Sequence, residues 1–206
     1  MAIRIRPFQN YEEHDLINMY ALEPELANED QISTGSGDIG VLVTISKADL
    51  DNPTIMWEDN AYLGKTKAKH LGTTNLYPIN PLQFKPAKKG DVFFGVTLWQ
   101  TCKYDDNGEK LINKRDLLGA NHAVLPGQTV PVLTRGWLDF SLDCFEVDDE
   151  ANPGINLNTK LTLATNTAGK FAVAEEGDEV IGIVRAKGTS QNEEAQPYYR
   201  VQFGIK

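Results

Sequence analysis

Gly64-Lys65-Thr66 carries the closing residues of a phosphate-binding loop. Such a loop needs an earlier glycine at position 59 so that its amides can cradle phosphate, and Asp59 stands there, so a solvated loop is expected. Asp105-Asp106-Asn107-Gly108-Glu109 has the oxygen-rich composition of a calcium loop. The ligands of that loop alternate over about twelve positions. Here they are consecutive, and Asn107-Gly108 reads more simply as a hairpin turn with positive φ. Asp148-Asp149-Glu150 with Asn152-Pro153-Gly154 reads as a solvated turn rather than a metal site. His14, His70 and His122 are scattered, without metal-ligand spacing. Cys102 and Cys144 match no zinc or redox motif and are expected as free thiols. None of Ser33, Ser36, Ser46, Ser141 and Ser190 has the flanking glycines of a nucleophile elbow. The expectation is a protein without catalytic residues, cofactor or metal.

The remaining chemistry is charge. Lys and Arg number 20 against 29 Asp and Glu in 206 residues, a net charge of −9. A nucleic-acid partner selects for clustered positive charge, so none is expected. Two local basic clusters run against the acidic whole: Lys65, Lys67, Lys69 and His70, and Lys85, Lys88 and Lys89. Their functional reading is a patch that docks on an acidic protein surface. No apolar run approaches the roughly 18 residues of a membrane helix. The basic start, Ile3-Arg4-Ile5-Arg6, is followed at once by Gln9, Asn10, Glu12 and Glu13 instead of a signal-peptide core. A protein kept in a cytoplasm, with no membrane partner, is expected.

The elements that must position these residues are mostly strands. Residues 1–35 read as an N-terminal arm: Leu16, Ile17, Met19 and Tyr20 form a weak helix-period cluster within Tyr11 to Leu22, Pro24 ends it, and Ser33-Thr34-Gly35-Ser36-Gly37 is a connector. From residue 36 to 206 the signals are β-rich. Ile39 to Ile45 and Val92 to Trp99 are short apolar runs, and Pro131 within Thr129 to Leu133 points to an edge or bulge. Leu138, Phe140, Leu142 and Cys144 alternate with Asp139, Ser141 and Asp143. Tyr199, Val201, Phe203 and Ile205 alternate with Arg200 and Gln202. That period of two marks strands. Leu161-Thr162-Leu163 and Phe171-Ala172-Val173 flank Asn166 to Gly169 as a hairpin, and Val180 to Val184 follows as another strand. Residues 46–89 read as a loop-rich excursion. The whole is expected to be an all-β, antiparallel sandwich or barrel-like body with an extended N-terminal arm.

Gly90-Asp91-Val92-Phe93-Phe94-Gly95-Val96 is echoed by Gly177-Asp178-Glu179-Val180-Ile181-Gly182-Ile183. Two short matches favour converging turn chemistry over duplication. Together with Pro126 to Val132, Arg135-Gly136-Trp137-Leu138, Asn158 to Ala164, Ala168 to Phe171, Val180 to Val184 and Tyr199 to Phe203, the first of these gives residues 90–205 an order of turns and strands that resembles the capsid decoration, or cement, proteins of tailed bacteriophages. The resemblance implies a β-rich homotrimer on the outside of an icosahedral head, stapling neighbouring major capsid subunits, with no catalytic residues. On that reading, Tyr11, Leu16, Ile17, Met19 and Tyr20 of the arm and Lys65, Lys67, Lys69, Lys88 and Lys89 of the basic clusters are the expected capsid contacts. The rival expectations are a tail or neck adaptor and a host-glycan-binding module, for which Trp57, Trp137, Tyr198 and Tyr199 would supply aromatic faces.

Overall fold

The computed structural model describes residues 5–10, 12–20, 39–48, 82–101, 123–124, 129–149, 153–189 and 197–204. The strands are β1 Ile5–Asn10, β2 Leu16–Tyr20, β3 Leu42–Ala48, β4 Leu82–Pro86, β5 Gly95–Thr97, β6 Gln100–Thr101, β7 Ala123–Val124, β8 Thr129–Leu133, β9 Gly136–Ser141, β10 Lys160–Leu163, β11 Phe171–Val173, β12 Gly182–Thr189 and β13 Pro197–Phe203. Most are short and rich in the β-branched and aromatic residues that suit a pleated, half-buried surface. One antiparallel sheet runs β4-β3-β5-β8-β2, and a second runs β11-β10-β12-β13-β9 with β1 added beyond β9. A single parallel bridge curls each sheet toward closure, Tyr20 to Gln83 in the first and Phe145 to Phe171 in the second. The chain is therefore all-β, as the alternation and turn signals predict.

The two sheets are the same unit built twice. Their strands follow the same spatial order. The segment Phe84, Ala87, Gly90, Asp91, Gly95 has the spacing of Phe171, Ala174, Gly177, Asp178, Gly182. Register agrees residue for residue: Val43 faces Gly95 and Pro86, as Leu161 faces Gly182 and Val173. Ile17 faces Val132 as Leu138 faces Val201. Hydrogen bonds outside the ladders agree as well. Phe94 N–H donates to Val43 O and Ile181 N–H to Leu161 O, both at 2.9 Å. Gly40 N–H donates to Thr97 O and Asn158 N–H to Val184 O, both at 2.8 Å. Gly40 and Asn158 share a left-handed backbone, φ 81° and 64°, which Asn tolerates better than other side chains. The Gly-Asp turns match too: Asp91 accepts from Lys88 N–H, and Asp178 from Glu175 N–H, each at 3.1 Å. Duplication of the unit, rather than convergence on one turn, accounts for the echo, because agreement extends through five strands whose side chains differ.

Each unit has its own core, and one strand serves both. Val41, just before β3, and Val43 within it pack in the first core with Phe84, Val130 and Val132. Leu42, between them, joins the second core with Val96, Leu133, Leu138, Phe140, Leu161 and Phe171. Burial on both faces is why this run reads as continuous apolar sequence rather than as alternation. The hairpin between β10 and β11 seals the junction. Leu42 N–H donates to Gly169 O at 3.0 Å, Gly169 N–H to Ala87 O at 2.7 Å, and Lys89 N–H to Ala164 O at 2.8 Å. Gly169 (φ 83°) lies so close to Val41 that a Cβ there would come within 2.6 Å of its Cγ1. The equivalent connection in the first unit is residues 49–81, so most of the loop-rich excursion is a long insertion at a hairpin position, and it lies outside the described residues.

Glu146 holds that hairpin in place. Its carboxylate accepts from Thr167 N–H at 2.6 Å and Asn166 N–H at 3.1 Å. Burial pushes its pKa up, but the hydrogen bonds from Thr167, Asn166 and Thr165 outweigh this and hold it below the ordinary 4.5. A depressed folded-state pKa contributes stability above the unfolded-state value that is lost as pH falls through the folded value. Glu146→Gln is therefore expected to be less stable than the parent at neutral pH, with the gap closing below pH 4.5. Thermal unfolding of both proteins across pH checks this.

Several expectations need correction. The helix expected within Tyr11 to Leu22 is a 3-10 turn at Glu13–Asp15 followed by strand β2. Leu16 packs on one core and Ile17 on the other, and a short strand with apolar residues on both faces cannot be told from a short helix by periodicity. Nor do residues 5–10 and 12–20 reach out as an arm, because β1 pairs with β9 and β2 with β8 along their lengths. The run Val92 to Trp99 forms a strand only over Gly95–Thr97. Pro131 sits in a strand flanked on both sides, at the point where the β5 ladder ends and only its carbonyl is used, by Leu98 N–H. The polar residues that alternate in β9 are buried too: Ser141 is enclosed and Asp139 pairs with Arg200 at 2.7 and 3.0 Å.

Candidate functional site

A groove of about 970 Å³ opens where corresponding corners of the two units meet. Phe93 and Phe94 line it from the first unit, and Val180 and Ile181, at the equivalent positions, from the second. The corner after β8, Thr134 and Arg135, meets its counterpart after β13. Gly204 (φ 68°) packs so closely there that a Cβ would lie 2.5 Å from Thr134 O. Like meeting like is the arrangement of an isologous contact. The Phe93 ring stands edge-on to Phe203 with centroids 6.3 Å apart, which fixes the groove floor. The turn before β2 forms one wall. It is held by Thr134, whose N–H and Oγ1–H both donate to Asp15 O at 2.9 Å.

The rim carries charge. Glu12, Asp15 and Glu179 bring three carboxylates and Arg135 one guanidinium. Among the described residues these four side chains have no hydrogen-bond or ion-pair partner. Trp137 is half-buried and lines the same space. Gln202 also faces it, and its Oε1 accepts from Arg185 Nε at 2.9 Å, which leaves the amide NH2 to donate. The groove thus joins aromatic surface to acceptors and donors contributed by four separate segments.

The expected contact residues do not gather at this place. Leu16 and Ile17 are half-buried in β2. Met19 and Tyr20 pair with Val130 and Thr129 of β8. Lys88 is exposed, whereas Lys89 forms an ion pair with Asp178 at 2.8 Å, joining the two equivalent Gly-Asp turns. The hydrogen bond to Asp178 holds the Lys89 ammonium above its ordinary pKa, and the Asp178 carboxylate is held below its own by Lys89 and by Glu175 N–H. Tyr11, Lys65, Lys67 and Lys69 lie outside the described residues, as do Gly64-Lys65-Thr66, the Asn107-Gly108 hairpin, Cys102, His70, His122 and Trp57. Tyr198 and Tyr199 are buried and offer no aromatic platform, while Trp137 does face the groove. Cys144 is buried in the second core. No group of three His, Cys, Asp or Glu able to hold a metal ion occurs among the described residues. Nor does any helix there have the length and apolarity to cross a membrane. Glu12, Asp15, Arg135, Glu179 and Gln202 escaped sequence reading because no local spacing links them. The one available signal was the echo, which marks Phe93–Phe94 and Val180–Ile181 as equivalent corners.

No family model, curated protein or solved structure matches the chain.

Proposed function

We propose that the chain is a non-enzymatic virion protein that decorates the outside of a bacteriophage head and staples neighbouring major capsid subunits. The observation that carries this reading is the doubled unit. One chain offers two copies of a single β-framework, joined by backbone hydrogen bonds, and so can engage two neighbouring subunits of a repeating lattice at once. Many such contacts on one shell add through effective concentration. The order of turns and strands that resembles decoration proteins supports the same reading, as does an acidic surface that repels nucleic acid and other particles. Exposed Lys88 and the Lys65, Lys67 and Lys69 cluster are the proposed docking cations, and self-association into a homotrimer would multiply them.

A ligand that binds the assembled state alone stabilises it by mass action. Adding purified chain to heads stripped of it should raise the temperature at which the shell releases subunits, in a saturable way. An unchanged release temperature at saturating chain would overturn the reading.

A further inference from the structure

We propose that the groove between the two units binds a neutral oligosaccharide. This inference rests on the groove alone and does not need the shell reading. Ligand sites favour clefts between domains, and about 970 Å³ lies at the upper end of the roughly 300–1,000 Å³ such clefts span, room for several sugar rings in a row. A pyranose ring offers an apolar C–H face bordered by hydroxyls that both donate and accept. The groove is complementary on each count. Trp137, Phe93 and Phe94 provide aromatic surface. The carboxylates of Glu12, Asp15 and Glu179 each accept from hydroxyl pairs, while Arg135 and the Gln202 amide donate.

Charge selects within the class. Three carboxylates against one guanidinium repel sialylated, uronic and phosphorylated sugars, as well as free phosphate. A basic peptide would satisfy the carboxylates but would meet Arg135 as a like charge. The absence of internal partners for all four charged side chains, among the described residues, leaves them free to bind a ligand without first breaking a bond within the protein.

The test is isothermal titration of the full chain with maltohexaose, cellohexaose, mannohexaose and chitohexaose, with hexalysine as the cationic competitor. At least one neutral hexasaccharide should bind. Trp137→Ala should weaken it at least about tenfold, which is a loss of about 1.4 kcal/mol. Because Trp137 is half-buried, Glu179→Gln at an exposed position provides a second variant that leaves the fold intact, and it should weaken the same sugar while leaving the melting temperature unchanged. The proposal is overturned if no hexasaccharide binds at about 10 mM, far above the affinities of specific sites. It is equally overturned if hexalysine alone binds, or if a bound sugar is indifferent to both substitutions.

Discussion

Phe171→Ala is expected to lower the unfolding free energy by about 3–5 kcal/mol, the usual loss when a buried aromatic is truncated and the site cannot collapse. Phe171 is fully buried on β11. Its ring stacks on Phe145 at 5.5 Å and meets Phe140 edge-on at 5.1 Å. The cluster continues from Phe145 to Tyr199 and from Phe140 to Phe203, so one truncation loosens three strands. Phe84→Ala, the equivalent change in the first unit, should fall at the lower end of the same range. Phe84 is as well buried, but the buried residues around it are the aliphatic Val41, Val43, Val130 and Val132, and the aromatic Phe94 and Trp99 are only partly buried against this cluster. The difference is the aromatic pairing, worth roughly 0.5–1.5 kcal/mol per pair beyond area. Urea unfolding of both variants provides the comparison. A loss below about 1 kcal/mol for Phe171→Ala would mean that the aromatic cluster is not packed as described.

The two strand glycines should respond unequally to one added methyl. A Cβ on Gly95 would lie 2.5 Å from the Leu133 carbonyl oxygen and 2.7 Å from Val132 Cγ1. Backbone cannot step aside cheaply, so Gly95→Ala is expected to cost about 1–3 kcal/mol through overpacking. At Gly182 the nearest atom is Val201 Cγ1 at 3.0 Å, with the Gln202 carbonyl at 3.3 Å. A shift of a few tenths of an ångström relieves that contact. Restriction of the unfolded chain returns about 0.4–1 kcal/mol, so Gly182→Ala should be close to neutral. Denaturant midpoints decide between these outcomes, and equal losses at the two sites would contradict the tighter crossing of β5 over β8.

The β class was legible because Leu138, Phe140, Tyr199, Val201 and Phe203 alternate, and a period of two has one structural meaning. Strand β2 was not legible, because the neighbouring apolar residues Leu16 and Ile17 pack on different cores and so break the alternation. The duplication was visible only as its turn. Gly90-Asp91 and Gly177-Asp178 are held by backbone geometry, which only a few residues satisfy. The surrounding positions have diverged as their environments have: Leu42 is buried against the second unit, whereas its equivalent Lys160 is exposed. Lys88-Lys89 likewise stands at the positions equivalent to Glu175-Glu176, and Lys89 reaches across to pair with Asp178 of the second turn. The groove was illegible for a different reason. Its charged residues come from distant segments: pairing of β2 with β8 brings Glu12 and Asp15 beside Arg135, and the meeting of the two units adds Glu179.

The proposed capsid role is most directly tested by co-sedimentation of the purified full chain with empty bacteriophage heads. The chain should pellet with the heads, saturate at a fixed ratio to the major capsid protein, and be released as rising salt screens the proposed docking lysines. A chain that stays in the supernatant at every concentration and ionic strength would contradict it.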